Sequence, residues 1–167
     1  MHETDRDQPA PAADASSQSF EISKIYLKDM SFESPLAPQL FAQKRDWRPE
    51  FNVQLNAESN PLGDDVYEVV LSLTVSAELE QQTAWLVEIK QAGLFRIAGF
   101  ESKALSHMLG SFCPSTLFPF AREAVADLIG KGGLPSFYLA PINFDALYAQ
   151  HVEKLRGSRP PAPETAQ

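Results

Sequence analysis

Cys113 is the chain's single cysteine, and His107, six residues upstream, is the base placed to activate it. A nucleophilic thiol needs a lowered pKa, an oriented base and access for a substrate. The surroundings, SFCPSTLFPF, are apolar and aromatic instead, and cysteine is among the most often buried residue types. A packed, inert thiol is the expectation. Three histidines and one cysteine, with neither CxxC nor HExxH spacing, offer no metal site, and no cofactor is expected. The run GKGG at 130–133 lacks the GxxxxGK[ST] spacing of a phosphate loop and follows an apolar helical period, so it reads as a helix stop. Asp64 and Asp65 are adjacent carboxylates, yet after Pro-Leu-Gly they suit a turn between strands better than an acid–base pair. Nothing here demands an enzyme, and none is expected.

The unusual material is apolar. Trp47, Phe51, Phe112, Phe118, Phe120, Phe137, Tyr138, Phe144 and Tyr148 are spread over loops, a strand, a crossover and two helices. Taken singly, each belongs in a core. Together with LPSFYLAPI, too rich in proline for a helix and without a turn glycine, they predict a groove with apolar walls beside an extended crossover. Such a groove suits a lipid or aromatic small molecule, the reading of a small-molecule carrier.

The elements that would position these residues follow from periodicity. Tyr67, Val69, Leu71, Leu73, Val75, Ala77 and Leu79 alternate with Glu68, Val70, Ser72, Thr74, Ser76 and Glu78 and predict a strand with one apolar face. Phe51, Val53, Leu55 and Ala57 alternate with Glu50, Asn52, Gln54 and Asn56 in a second strand. TAWLVEIKQ places Trp85, Val87, Ile89 and Gln91 on one side and Leu86 and Glu88 on the other. FEISKIYLKDMSFE is a less regular first strand, with Asp29, Ser31 and Glu33 on one side. SNPLGDD and ELEQQ supply turns. After Gly99 the period becomes helical: LSHMLG is a short piece, and Ser115 caps a helix from Thr116 to about Ile129 with Pro119 in its first turn. Asn143 caps a last helix that carries Asp145 in its first turn and Lys154 and Arg156 in its last. Four strands followed by two main helices predict an α+β fold in two layers, β4α2, with a four-stranded antiparallel sheet and helices packed on one face.

Composition sets the bounds. At 167 residues the chain makes one domain that buries roughly two-thirds of its unfolded surface. A net charge of −8 disfavours nucleic acid and anionic lipid. A polar start, a single cysteine and no run long enough to insert in a membrane predict a cytoplasmic protein. Residues 1–19 and 157–167 have the composition of disordered tails around a folded domain at 20–156.

Five blocks, IYLKDMSFESPLAP, KRDWRPEFNVQLN, GDDVYEVVLSLTVSAEL, CPSTLFPFAREAVADLIGKGGLP and LAPINFDALY, resemble in order the SecB family of bacterial protein-export chaperones. The resemblance implies an ATP-independent holdase that binds unfolded precursor proteins, delivers them to the translocation motor SecA, and assembles as a homotetramer, a dimer of dimers. By position it assigns Asp29, Glu33, Leu86 and Glu88 to SecA binding, which requires strands one and four to be neighbours in a sheet of order 1-4-3-2. It assigns Val87, Ile89 and Gln91 to tetramer assembly, and Phe51, Val53 and Leu55 to client binding. Trp47, Leu134, Phe137, Leu139, Phe144 and Leu147 extend that groove. Within the same class, a SecB-like chaperone of a toxin–antitoxin pair is the alternative; outside it, a small-molecule carrier.

Overall fold

The computed structural model describes residues 17–42 and 48–157. Four strands, β1 (Ser19–Glu33), β2 (Glu50–Gly63), β3 (Val66–Leu79) and β4 (Gln82–Ala98), form one antiparallel sheet in the order β1-β4-β3-β2. This is the order expected, with β1 and β4 adjacent. Between β1 and β2 lies a single turn of helix, α1 (Gln39–Ala42).

β2 is longer than its alternating core. Ser59 to Gly63 continues the ladder against Val66–Val69, so the connection shrinks to Asp64 and Asp65, both at positive φ (50° and 58°). Two left-handed residues give the backward-twisted turn that suits a tight hairpin, and Asp tolerates that region better than most residues. Pro61 is accommodated inside β2 because β2 is an edge strand, where a missing N–H breaks no ladder. Glu80 and Gln81, likewise at positive φ, close the β3–β4 hairpin.

The helical layer departs from its expected boundaries. α2 (Ser102–His107) runs through a π-helical turn, Met108–Phe112, into α3 (Cys113–Lys131). α3 therefore begins before Thr116 without a Ser115 cap, and Pro114 occupies its first turn. Pro119 lies inside the helix, on its exposed side, where solvent can take the Ser115 carbonyl that its missing N–H leaves unpaired. What overrides the prolines is burial. Cys113, Leu117, Ala121, Val125 and Ile129, spaced four apart, pack in one core with Val69, Leu71, Leu73 and Val75 of β3 and Val87 and Ile89 of β4. At the end of α3, Gly132 lies against Phe32 of β1; a methyl there would stand 2.3 Å from its Cζ.

Residues 134–143 form the extended crossover, and α4 (Phe144–Gly157) follows. Asn143 caps α4 as expected, its Oδ1 accepting from the Ala146 N–H at 3.0 Å. Only Phe144 of α4 is buried, and the helix rests on the π turn. Among the described residues, no helix is long and apolar enough to cross a membrane.

Candidate functional site

The thiol is not at a site. Cys113 is fully buried in the core, and burial pushes its pKa up to about 12, the reverse of what a nucleophile needs. His107 is engaged elsewhere: its Nε2 lies 3.0 Å from Asp145 Oδ1, to which the Ser111 hydroxyl donates at 2.5 Å. The Ser111 bond is the main cause of an Asp145 carboxyl held below its ordinary value. In this cluster the carboxylate sits between hydroxyl and imidazole, so His107 does not face the serine. It clasps α4 to the π turn.

The apolar groove follows the helix-facing row of β2, Phe51, Val53, Leu55 and Ala57, with Phe51 and Val53 exposed. At one end a cavity of about 250 Å³ is lined by Pro49, Phe51, Trp85, Leu134, Pro135 and Phe137, with Ser136 beside them. The Phe51 and Phe137 rings lie 4.9 Å apart, and Trp85 sits 6.0 Å from each. At the other end a cavity of about 460 Å³ lies between Leu55 and Ala57 of β2, Gly110 of the π turn, and Phe144, Leu147 and Tyr148 of α4.

Of the groove residues expected from sequence, Phe51, Val53, Leu55, Phe137 and Leu147 offer accessible apolar surface. Leu134, Leu139 and Phe144 do not: all three pack in the core, Leu134 and Phe144 showing only an edge to a cavity. The crossover turns these residues inward while Tyr138 points out. Trp47 lies outside the described residues. Trp85 was missed. The register explains its place: Phe51 pairs with Ala77, and Ala77 with Trp85, so two large rings meet across one small residue. An alanine on β3 between aromatics on the two strands that flank it is the signal, visible only once the register is known.

The opposite face of the sheet is polar. Glu33 pairs with Leu86, Ser31 with Glu88 and Asp29 with Lys90, so Asp29, Glu33, Leu86 and Glu88 occupy neighbouring positions on the face away from the helices. The three acids are exposed and Leu86 is half-buried among them. Lys90 belongs to the same patch. Farther along, Tyr26 of β1 donates to Glu68 of β3 across Ala92 of β4, and Lys28 Nζ lies 2.6 Å from the same carboxylate oxygen. Lys28, foremost, and the Tyr26 hydroxyl hold Glu68 below its ordinary range, and the Glu68 bond raises Tyr26 to about 12.

Val87 and Ile89, which the resemblance assigns to tetramer assembly, are 0 % and 1 % exposed under α3, so within a single chain they present no open surface. Gln91 is buried too, its Nε2 donating to the Tyr26 carbonyl at 2.9 Å. The uncovered apolar side chains on this face of the sheet's β1 margin are Ile22, Leu27 and Met30, at 42 %, 43 % and 52 % exposure.

Comparison with known proteins fits this geometry. Residues 13–155 match the family model of SecB, described as preprotein translocase subunit SecB. The protein-export protein SecB of Nitrosococcus oceani is 56 % identical over 135 residues, covering 81 % of this chain and 82 % of the relative. That of Thioalkalivibrio sulfidiphilus is 50 % identical over 150 residues, covering 89 % and 88 %. Among solved structures, a Mycobacterium tuberculosis SecB-like chaperone in complex with an antitoxin peptide shares the fold, with a TM-score of 0.61 at 21 % identity, covering 74 % of this chain and 90 % of that one. A four-stranded sheet with an apolar groove on one face, an acidic patch on the other and this degree of identity lead to one assignment: the chain belongs to the SecB family of protein-export chaperones.

Proposed function

We propose that the protein is a cytoplasmic, ATP-independent holdase that binds unfolded precursor proteins in the β2 groove and passes them to SecA through the acidic sheet face. The observation that carries this reading is the separation of the two surfaces: Phe51 and Val53 face the helix side of the sheet, and Asp29, Glu33, Leu86 and Glu88 the other. A protein that binds the unfolded chain and not the native one draws the folding equilibrium toward unfolded by mass action, with no nucleotide. Each apolar contact is weak once association costs are subtracted, so useful affinity requires one long client to engage several grooves.

Assembly supplies them. A dimer of dimers needs two self-complementary surfaces. The open edge of β1, with Ile22, Leu27 and Met30 beside it, supports one. The outer side of the π turn and α3, with Phe112 and Phe120 eight residues apart and exposed, supports the other. Relatives at 50–56 % identity are export proteins, so the antitoxin-chaperone alternative is not favoured.

Titration of SecA tests the two-surface reading. Leu86→Arg should weaken SecA binding at every salt concentration, because a half-buried apolar anchor is lost. Glu88→Lys should slow association mainly at low salt, because a screened attraction is lost. Both variants should arrest refolding of a client as the parent does. Loss of client holding together with SecA binding would contradict separate surfaces.

A further inference from the structure

Trp85 is 1 % exposed, and its indole Nε1–H finds no acceptor among the described residues. Native structures avoid leaving a buried donor unpaired, because the bond to water is given up without replacement. The ring forms a wall of the 250 Å³ cavity, whose other walls, Phe51, Phe137, Leu134, Pro49 and Pro135, are apolar, with Ser136 the one polar side chain among them. We infer that the Trp85 indole N–H is a hydrogen-bond donor held for the backbone carbonyl of an extended client segment, so that this end of the groove recognises a peptide and not merely an apolar body.

The inference rests on the holdase reading and adds what the groove selects. An occupant must bring apolar bulk for the walls and an acceptor for the indole. An extended peptide brings both at the same place, since every residue carries a carbonyl beside its side chain. A fatty acyl chain carries acceptors only at its charged end, and that end would meet an apolar wall. A carbonyl is common to every peptide sequence, so the donor adds affinity without restricting the client, while the aromatic walls choose apolar side chains. Entry requires Phe137 to yield. It sits on the crossover 134–143, which belongs to neither sheet nor helix, and an entering side chain replaces its ring contact with Phe51.

The test compares the parent with Trp85→Phe, which keeps an aromatic wall and removes the N–H. The client is reduced, alkylated α-lactalbumin, which stays unfolded; the control is the uncharged apolar dye N-phenyl-1-naphthylamine, which has no carbonyl or sulfonate oxygen to accept from the indole. The variant should bind the client about two- to tenfold more weakly, the span of one ordinary hydrogen bond, and bind the dye as the parent does. In the ¹⁵N-labelled parent, the Trp85 indole proton should move downfield as client is added, a readout that stands even if the variant folds poorly. Equal client affinity in the two proteins with an unmoved indole resonance overturns the donor role and leaves the holdase intact. Equal weakening for client and dye also overturns it, since the ring and not the N–H would then be at work. A parent that binds no client overturns the holdase reading itself.

Discussion

Gly110 of the π turn lies flat under the Tyr148 ring of α4: a methyl carbon at Gly110 would stand 2.5 Å from Cδ2 and 2.6 Å from Cε2 of that ring. In an ordinary helix Gly→Ala is favourable by roughly 1 kcal/mol. Here the steric conflict reverses the sign, because the ring and α4 must shift together. Gly110→Ala is expected to destabilise by about 1–3 kcal/mol, the usual cost of overpacking. It should also widen the 460 Å³ cavity under α4. Urea unfolding, with a lower midpoint at unchanged slope, and greater binding of an apolar dye check this; a stabilised variant would mean that α4 does not rest on the π turn.

The proposed assembly separates two kinds of apolar residue that look alike in the sequence. Met30 is exposed beside the open edge of β1, whereas Val87 is covered by α3. Met30→Asp should leave the circular dichroism of the subunit unchanged and lower the particle mass in light scattering from tetramer to dimer. Val87→Asp should cost several kcal/mol of fold stability, because an unpaired charge enters the core. If Val87→Asp folds normally as a dimer, the surface assigned to β1 is wrong.

Acid should loosen the outer face at Glu68. Its carboxyl is held below its ordinary 4.5, foremost by Lys28 and then by the Tyr26 hydroxyl. A depressed folded pKa means that the unfolded state binds the proton more readily. The stabilisation is therefore present above pH 4.5 and is lost as pH falls below it through the depressed value. Glu68→Gln should be less stable than the parent at pH 7, and the difference should shrink in this acid range. Denaturant midpoints at pH 7 and pH 3.5 measure it; a constant difference would contradict the brace.

The strands were legible because their pattern is local. β3 alternates except at Val70, and alternation placed Asp29, Glu33, Leu86 and Glu88 on outward positions. The helical layer was less so. Pro114 and Pro119 punctuate the sequence as boundaries, but the core residues Leu117, Ala121 and Val125 keep the helix running past them. That α3 covers Val87 and Ile89 is a tertiary fact with no local signal, and so is the inward turn of Leu134, Leu139 and Phe144. Cys113 was read correctly from its apolar neighbours alone, and its raised pKa follows from the same burial.

The most direct measurement is the refolding rate of a denatured precursor protein, diluted into increasing concentrations of the chaperone with no nucleotide present. The rate should fall with chaperone concentration and level off once every client is bound. Phe51→Ser, at the exposed end of the groove, should require more chaperone for the same arrest. A refolding rate independent of chaperone concentration, or one that slows only when ATP is added, would contradict the assignment of this chain as a passive holdase.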